Sequence, residues 1–303
     1  MNMYGLMETI DHKEVLNIME KIEHAGILIE ALQFIKKFYG KTIIIKYGGS
    51  AMKNPELKKS FVEDIVFMNL VGINIIIVHG GGHSINEMLK KLNIEPEFYN
   101  GFRITDEETM EIVEMVLAGK VNKGIVNDIQ IQGVNAMGIC GKDGNLLEAK
   151  KKIVDGKDIG FVGEVINVNT NLLKGMMENS IIPVIAPIGR DNLGITYNIN
   201  ADDVAAAISK TLYAEKLVFL TDVMGVLSDV NDNSTLISEM KVDQALSYIK
   251  DGIITNGMIP KVKCCIEAIQ SGVNAVHIID GRIEHSLLLE IFTPQGIGTM
   301  VMK

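Results

Sequence analysis

The sequence predicts an α/β fold, an αβα three-layer sandwich in which helices cover both faces of a mostly parallel sheet. The first observation is a pair of β-branched apolar runs, Thr42–Tyr47 and Ile75–His79, which do not alternate with polar residues. Continuous runs of this kind are typical of parallel strands that are buried on both faces. The second observation is that strand and helix signals alternate along the chain, which implies right-handed βαβ crossovers.

The remaining elements continue this alternation. Five further segments predict strands: Ala136–Cys140, Ile181–Pro187, Leu217–Thr221, Ala275–Ile279 and Thr299–Met302. Six segments have helical periodicity: Glu56–Val71, Ser84–Leu92, Glu107–Leu117, Leu172–Asn179, Asp202–Leu212 and Pro260–Ser271. The exception is Leu146–Asn169, a polar stretch with glycines and short β-like runs, which predicts hairpins instead of a crossover.

Three regions are expected along the chain: residues 1–40, 41–200 and 201–303. The first is a helical extension that carries one apolar stripe. The stripe consists of Ile27, Leu28, Ala31, Phe34, Ile35 and Phe38. This helix either covers the sheet of its own chain or packs on another subunit. The boundary near Asn200 separates two lobes, because the segments beyond it form a second set of strands and helices.

Composition excludes several classes of protein. The formal charge of −9 argues against nucleic-acid binding. No apolar stretch approaches the ~20 residues of a membrane span, and the N-terminal residues lack an apolar signal segment. The cysteines Cys140, Cys264 and Cys265 have no C-x-x-C spacing, so we expect buried thiols in a reducing cytoplasm.

Glycines follow both apolar runs, at Gly48-Gly49 and at Gly80–Gly82. Glycine lets backbone N–H groups approach a bound group closely, and open α/β sheets bind ligands at the carboxyl ends of their strands. Because Lys46 precedes one of these turns, the pair predicts a site for a phosphoryl group in transfer.

Three shorter motifs do not predict the binding sites that they partly match. The triplet at 40–42 resembles the end of a Walker A loop, but the first glycine is absent and a strand follows it. The glycines at 80–82 lack the third glycine of a dinucleotide-binding turn, so a dinucleotide-dependent enzyme is disfavoured. His79 and His83 are separated by three glycines, which would not form a zinc-binding helix.

Several ordered motifs together resemble the N-acetylglutamate kinases of the amino acid kinase family. They are IIIKYGGSAM, IIIVHGGGHSIN, NGFRITDEE, GICGKDGNL, YNINADDVAA, FLTDVMGVL, NGMIPKV and HSLLLEIFTPQGIGTM, between about Gly40 and the C-terminus. The resemblance implies ATP-dependent phosphorylation of the side-chain carboxylate of N-acetyl-L-glutamate in arginine biosynthesis, with Mg²⁺ bound to the ATP. It also implies that residues 41–200 bind acetylglutamate and that residues 201–303 bind ATP.

By this resemblance, the catalytic residues are Lys46, Lys261, Asp202, Gly49 and Gly82. An acceptor carboxylate is ionised at neutral pH, with a reference pKa near ~4.3, so no general base is required. The two lysines would flank the phosphoryl group, and Asp202 would orient both of them. Asp202 also stands where the N-cap of the following helix is expected, and capping explains it about equally well.

The resemblance assigns further residues to the two substrates. Those for acetylglutamate are Gly81, Gly82, Arg103, Asn198 and Asn200, with the Arg103 guanidinium on the α-carboxylate. Those for the nucleotide are Lys46, Gly48, Gly49, Thr221, Asp222, Gly257, Met258 and Lys261. One departure from the family pattern lies beside Arg103, where Phe102 replaces a common leucine.

Regulation is a further implication. The helix before the first strand resembles the amphipathic helix that precedes it in the arginine-inhibited, hexameric members of the family. By this resemblance we expect a homohexamer, a trimer of dimers, with L-arginine as effector. The candidate effector residues are His277, Glu290, Gly296 and Gly298.

Two alternatives stay open. One is another carboxylate or carbamate kinase of the same superfamily, such as an N-acetylaminoadipate kinase. The other is a non-catalytic amino-acid sensor on the same fold, against which the presence of Lys46, Lys261 and Asp202 argues.

Overall fold

Strands and helices alternate through residues 12–255 and 257–303, the part of the chain that the computed structural model describes. The strands are β1 Thr42–Tyr47, β2 Asn74–His79, β3 Phe98–Tyr99, β4 Phe102–Arg103, β5 Ala136–Cys140, β6 Leu147–Val154, β7 Lys157–Val168, β8 Ile182–Ala186, β9 Ile188–Arg190, β10 Thr196–Ile199, β11 Lys216–Thr221, β12 Glu239–Lys241, β13 Ala275–Asp280 and β14 Thr299–Met302. The helices are α1 His12–Phe38, α2 Pro55–Leu70, α3 Gly82–Lys91, α4 Glu107–Glu114, α5 Asn122–Ile131, α6 Thr170–Glu178, α7 Ala201–Leu212, α8 Val242–Lys250, α9 Met258–Gln270 and α10 Ser286–Ile291.

An eight-stranded sheet of order β12-β14-β13-β11-β1-β2-β8-β5 forms the middle layer. Its strand pairs are parallel except for β13 and β14, which confirms the mostly parallel sheet. Strand β1 lies between β2 and β11, with Lys46 opposite Val78 on one side and Phe219 on the other. The carboxyl ends of these three strands therefore meet at one edge of the sheet.

The two faces of the sheet pack into separate apolar layers. On β1, Ile43 and Ile45 contribute to one layer, whereas Ile44 faces the other. Side chains alternate between the faces of a strand, so a strand covered on both sides must be apolar throughout. Helices α2, α3, α4 and α5 supply the first layer and α6, α7 and α9 the second, which confirms the predicted three-layer architecture.

The hairpins predicted over Leu146–Asn169 are also confirmed. Strands β6 and β7 pair antiparallel, and with β9 and β10 they close into a small four-stranded barrel. The shorter hairpin of β3 and β4 packs against this region, where Tyr99 and Phe102 contact the buried side chains of Val154, Ile159 and Val162.

The helix predicted over Glu107–Leu117 is longer than expected. A π-helical segment, Met115–Val121, joins α4 directly to α5 and extends the helix to Ile131. The glycines at 119 and 124 have low helix propensity, so the local sequence did not indicate this continuation. Burial of Ile125 and Ile129 against the sheet stabilises it instead. Helices α8 and α10 were not predicted either.

Helix α1 packs on the sheet only near its end. Phe38 is buried and Phe34 and Ile35 contact the core, but Ile27 and Leu28 are 58% and 70% exposed. Two of the six stripe residues, Ile27 and Leu28, thus lie mostly exposed in the described part of this chain.

The predicted boundary near Asn200 falls just before α7, and the sheet runs across it through the pairing of β1 with β11. The division into lobes at 200 stays a prediction. None of the helices in the described residues is long and apolar enough to cross a membrane.

Candidate functional site

The turn after β1 approaches the carboxyl end of β11. Gly49 has φ +73°, and a Cβ at this position would lie 2.5 Å from Oδ1 of Asp222. That oxygen accepts hydrogen bonds from the backbone N–H of Ser50 at 2.7 Å and from the Ser50 hydroxyl at 2.6 Å. Burial opposes ionisation of Asp222, but the bonds from Ser50 outweigh it and lower the pKa of this carboxyl. Asp222 therefore holds the glycine turn in place.

The turn after β2 begins helix α3. A Cβ on Gly81 would lie 2.4 Å from the Leu117 side chain of the π-helical segment, whereas Gly82 faces open space. The helix starts without a side-chain cap, so its first N–H groups remain available to an anion.

The buried side chain of His79 supports this turn. Its Nδ1 lies 2.7 Å from the Gly80 carbonyl oxygen and its Nε2 lies 3.1 Å from the Asn122 amide. Complete burial lowers the pKa of His79 to about 4, so the ring is neutral at physiological pH. A structural role accounts for this histidine.

Three charged side chains from distant parts of the chain meet beyond these turns. The Lys46 ammonium lies 3.0 Å from Oδ1 of Asp202, and the Lys261 ammonium lies 2.8 Å from Oδ2. The three side chains are only 16–19% exposed. Burial tends to raise the pKa of the Asp202 carboxyl, but the attraction of the two ammonium groups prevails and lowers it. Asp202 is thus an anion shared by two cations.

The N-cap of α7 is Asn200, not Asp202. The Asn200 side-chain oxygen accepts a hydrogen bond of 2.8 Å from the Asp202 backbone N–H. The capping alternative for Asp202 is therefore wrong, because the helix begins at Ala201 and already includes Asp202 in its first turn. With the cap supplied by Asn200, the Asp202 carboxylate is free to face the lysines.

Arg103 is buried at the end of the β3–β4 hairpin. Its Nη2 donates to Asn86 Oδ1 at 2.5 Å and to the Gly82 carbonyl at 3.3 Å, and the guanidinium lies 4.8 Å from the Phe98 ring centroid. Burial lowers the pKa of this guanidinium. Its Nη1 is buried without a hydrogen-bond partner, so this donor is available to an acceptor group on a ligand.

Asn198 connects this arginine to strand β10. Its amide donates to the Thr105 hydroxyl at 3.3 Å, and that hydroxyl donates to the Arg103 carbonyl at 2.9 Å. The Asn198 side chain is thus linked to the Arg103 backbone through Thr105, while Asn200 lies exposed one residue beyond β10.

Two large cavities meet at Gly49 and Asp222. One, of about 580 Å³, lies between the two glycine turns and is lined by Gly81, Gly82, Ser50 and Lys120 among others. The other, of about 650 Å³, contains seven of the eight residues predicted for the nucleotide. They are Lys46, Gly49, Thr221, Asp222, Gly257, Met258 and Lys261. Its remaining walls are largely apolar, as an adenine ring requires.

A separate cavity of about 600 Å³ is lined by three of the four predicted effector residues, His277, Glu290 and Gly296. The His277 ring bridges Lys216 and Glu290, with its Nε2 2.6 Å from the ammonium and its Nδ1 2.5 Å from the carboxylate. The other oxygen of Glu290 accepts from the N–H groups of Ile297 at 2.7 Å and Gly298 at 3.0 Å. A Cβ on Gly296 would lie 2.6 Å from that oxygen.

Lys216 was missed by the sequence analysis, although a lysine at the start of an apolar strand is a signal. Burial lowers its pKa to about 8. Burial also lowers the pKa of His277. For Glu290, burial tends to raise the pKa of the carboxyl, but hydrogen bonds outweigh this effect and lower it. The bond from His277 contributes most to that lowering.

No group of three or more metal-ligating side chains occurs among residues 12–255 and 257–303. The acidic residue in the wall of the predicted nucleotide cavity is Asp222, whose bonds to Ser50 use Oδ1 alone.

The profile of the amino acid kinase family matches residues 41–280. Among curated relatives, the acetylglutamate kinase of Heliobacterium modesticaldum is 53% identical over 295 residues, which cover 94% of this chain and all of that protein. The acetylglutamate kinase of Thermoanaerobacter pseudethanolicus is 55% identical over 284 residues, which cover 94% of this chain and 95% of that protein.

Solved structures show the same fold. The N-acetylglutamate synthase of Neisseria gonorrhoeae, in complex with coenzyme A and N-acetyl-glutamate, superposes with a TM-score of 0.82 at 26% identity. The match covers 92% of this chain but only 63% of the synthase chain. Carbamate kinase from Giardia lamblia bound to AMP-PNP gives a TM-score of 0.63 at 17% identity and covers 87% of this chain and 99% of that one, which concerns the fold alone.

Proposed function

This chain belongs to the amino acid kinase family, and from that premise we propose that it phosphorylates the side-chain carboxylate of N-acetyl-L-glutamate with ATP. This is the phosphorylation step of arginine biosynthesis. The observation that carries the proposal is the placement of Lys46 and Lys261 on the two oxygens of Asp202, beside the glycine turns. A sensor protein would not need two cations held against one buried anion.

The reaction follows from this arrangement. An oxygen of the acceptor carboxylate attacks the γ-phosphorus of ATP, and the bond from that phosphorus to the β,γ-bridging oxygen breaks, which leaves ADP and an acyl phosphate. No proton has to be removed, because the acceptor is already ionised. The barrier is the approach of an anion to a polyanion, which Lys46 and Lys261 lower by electrostatic stabilisation. The N–H groups of Gly49 and Gly82 bind oxygens of the migrating group.

The two substrates occupy opposite sides of this centre. ATP lies in the cavity lined by Thr221, Gly257 and Met258, with its phosphates directed toward Lys46 and Gly49. Gly48 approaches the phosphates from the first turn. Magnesium usually binds through phosphates, waters and one or two carboxylates, and Asp222 is suitably placed to supply one.

The acceptor binds on the Arg103 side. Its α-carboxylate pairs with the unpartnered Nη1 of Arg103, and its acetamido group contacts Asn198, Asn200 and the N–H of Gly81. A guanidinium is suited to this task because Nη2 can keep its bonds to Asn86 and Gly82 while Nη1 donates to the carboxylate.

The experiment that tests the function is an acceptor panel with ATP and hydroxylamine, which traps acyl phosphates. The acceptors are N-acetylglutamate, N-acetylaminoadipate, glutamate, aspartate and carbamate, with ADP release as the readout for carbamate. We expect N-acetylglutamate to give the highest kcat/KM. A preference for another acceptor would assign a different kinase of this superfamily, and no turnover with any would favour the sensor.

Replacing Arg103 with lysine should raise KM for N-acetylglutamate at least tenfold while kcat falls less. A lysine keeps the charge but cannot bond Asn86, Gly82 and the carboxylate from two nitrogens, and this loss concerns substrate binding more than the transition state. Steady-state kinetics measure both constants, with Arg190→Lys on β9 as the matched control. A fall in kcat at constant KM would contradict the assignment.

We further propose that L-arginine binds in the 600 Å³ cavity and inhibits the enzyme. Glu290 is an anion that accepts one side-chain and two backbone hydrogen bonds, so one of its roughly four lone-pair sites remains for a guanidinium. Lys216 and Lys37 line the same cavity and can pair with the effector's carboxylate. Phe34 of α1 forms part of the wall, which links the effector to the N-terminal helix.

That helix supports a homohexamer, a trimer of dimers, as the assembly. The exposed side chains of Ile27 and Leu28 continue the stripe that Phe34 and Phe38 bury against the chain's own core. Contact between α1 helices of neighbouring dimers would cover them. The three cysteines are free thiols in the structure, which fits a reducing cytoplasm as the location.

Millimolar arginine should inhibit the wild type, and Glu290→Gln should raise the half-inhibitory concentration at least tenfold. The substitution removes the charge that pairs with a guanidinium. Inhibition is measured relative to each variant's own uninhibited rate, with the exposed Glu284→Gln as control. Insensitivity of the wild type to arginine, or a dimer by light scattering, would contradict the effector or the hexamer.

A further inference from the structure

Lys152 contacts two elements of the acceptor site at once. Its ammonium lies 3.0 Å from Oδ2 of Asp203 in the first turn of α7, and 4.4 Å from the ring centroid of Phe102 on β4. Asp203 follows Asp202, which holds the two lysines, and Phe102 precedes Arg103. Lys152 therefore joins the helix that carries the phosphoryl-transfer centre to the hairpin that carries Arg103.

The neighbouring lysines behave differently. Lys151 pairs with Asp158 at 2.6 Å and Lys150 pairs with Glu164 at 2.9 Å, both within the β6–β7 hairpin itself. Their side chains are 43% and 61% exposed, against 22% for Lys152. A shift in the pairing register of β6 and β7 lies between Lys151 and Ile153, at Lys152. Such an irregularity redirects a side chain, and it directs Lys152 out of its own hairpin.

The β3–β4 hairpin depends on contacts of this kind. Each of its strands has two residues, which is too short for independent stability. Asn100 donates to Asp155 at 2.5 Å, and the Lys157 ammonium lies 4.5 Å from the Tyr99 ring centroid, so these contacts attach the hairpin to the β6–β7 turn. The contact of Phe102 with Lys152 additionally ties it to α7.

We propose that Lys152 is a positioning residue that sets the separation between Arg103 and the Lys46–Asp202–Lys261 centre. The inference rests on the proposed function. An acceptor with two carboxylates must place one on Arg103 and the other beside the two lysines. The separation of these points then selects the acceptor by the number of carbons between its carboxylates.

The chemistry of Phe102 fits this role. The face of an aromatic ring carries partial negative charge, so a ring and a carboxylate can hold one ammonium between them. A leucine would fill much of the same volume without attracting the cation. Because small misplacements of a bound group reduce rates strongly, a link of modest energy has a measurable effect at the site.

The test is Lys152→Met, which keeps the length of the side chain and removes its charge. We expect KM and the calorimetric Kd for N-acetylglutamate to rise about five- to tenfold, from loss of one ion pair and one cation–π contact. KM for ATP should stay within twofold and kcat within threefold. The ratio of kcat/KM for N-acetylaminoadipate to that for N-acetylglutamate should rise.

Lys151→Met is the matched control, since it alters the adjacent lysine of the same strand, and it should leave KM within twofold. Asp203→Asn should reproduce the effect of Lys152→Met on KM. In the double variant, KM for N-acetylglutamate should be no higher than in either single variant. Phe102→Leu should raise KM about twofold. Thermal melting checks that each variant is folded.

Unchanged KM and Kd in Lys152→Met, or a Lys151→Met effect of the same size, would overturn the proposal. The proposal would also be overturned if the increases in KM caused by Lys152→Met and Asp203→Asn multiplied in the double variant. Failure of the proposed function would appear differently, as a wild type that prefers another acceptor. The comparison of variants can then be repeated with that acceptor.

Discussion

Lys261→Ala and Lys46→Ala are each expected to lower kcat by about 10²–10³ while the protein stays folded. Each change removes one preorganised cation from the migrating phosphoryl group, and the loss of a single donor of this kind costs roughly 2.7–4 kcal/mol of transition-state stabilisation. Folding should persist because both ammonium groups are partly exposed. Each substitution also leaves Asp202 paired with the other lysine.

The controls lie on the same elements. Lys263 is exposed on α9 two residues beyond Lys261, and Lys41 is exposed just before β1. Alanine at either position should leave kcat within twofold. Kinetics at saturating ATP and acceptor separate kcat from KM, and near-normal turnover in Lys46→Ala or Lys261→Ala would remove that lysine from the catalytic set.

Asp202→Asn should lower kcat by about 10²-fold and also destabilise the fold at neutral pH. The amide keeps the shape of the carboxylate, but it cannot neutralise two ammonium groups, which then repel each other. Leaving a buried hydrogen-bonding group without its partner costs about 1–3 kcal/mol, and more when the group is charged. Urea unfolding at pH 7 measures this loss, and Asp243→Asn in the first turn of α8 is the control.

The pH dependence provides a second readout. The pKa of Asp202 is lower in the folded protein than in the unfolded chain, where it lies near ~3.9. Its stabilising contribution is therefore present above the unfolded value and is lost as pH falls through the folded value. The stability difference between wild type and Asp202→Asn should shrink below about pH 4. A difference that is independent of pH would contradict a charge-based role.

Strands were predicted correctly where a continuous apolar run in the local sequence indicates burial. The central residues of strands β1 and β2 are apolar, because each face of the sheet packs against its own layer of helices. The helix from Glu107 to Ile131 was only half predicted, since its second part carries glycines and forms through contacts with the sheet. Helix α10 spans only six residues, which is too short for a periodic signal.

The candidate site divides in a similar way. The glycine turns could be recognised from their position after apolar runs, and the motif resemblance suggested Lys46, Lys261 and Arg103. Their assignments remain predictions that the observed geometry supports. The cap on α7 was misplaced by two residues, because Asn200 and Asp202 are both good caps and only the backbone shows which one is used.

What the sequence by itself determined is the layered α/β architecture and the position of the glycine turns, because alternation and burial are local properties of a strand or helix. Only the tertiary structure decided which charges meet. Lys46 with Asp202 and Lys261, Lys216 with His277 and Glu290, and Lys152 with Asp203 and Phe102 are contacts between segments far apart in the chain. Electrostatic energy depends on distances of a few ångströms, and those distances exist only once the sheet has brought the segments together.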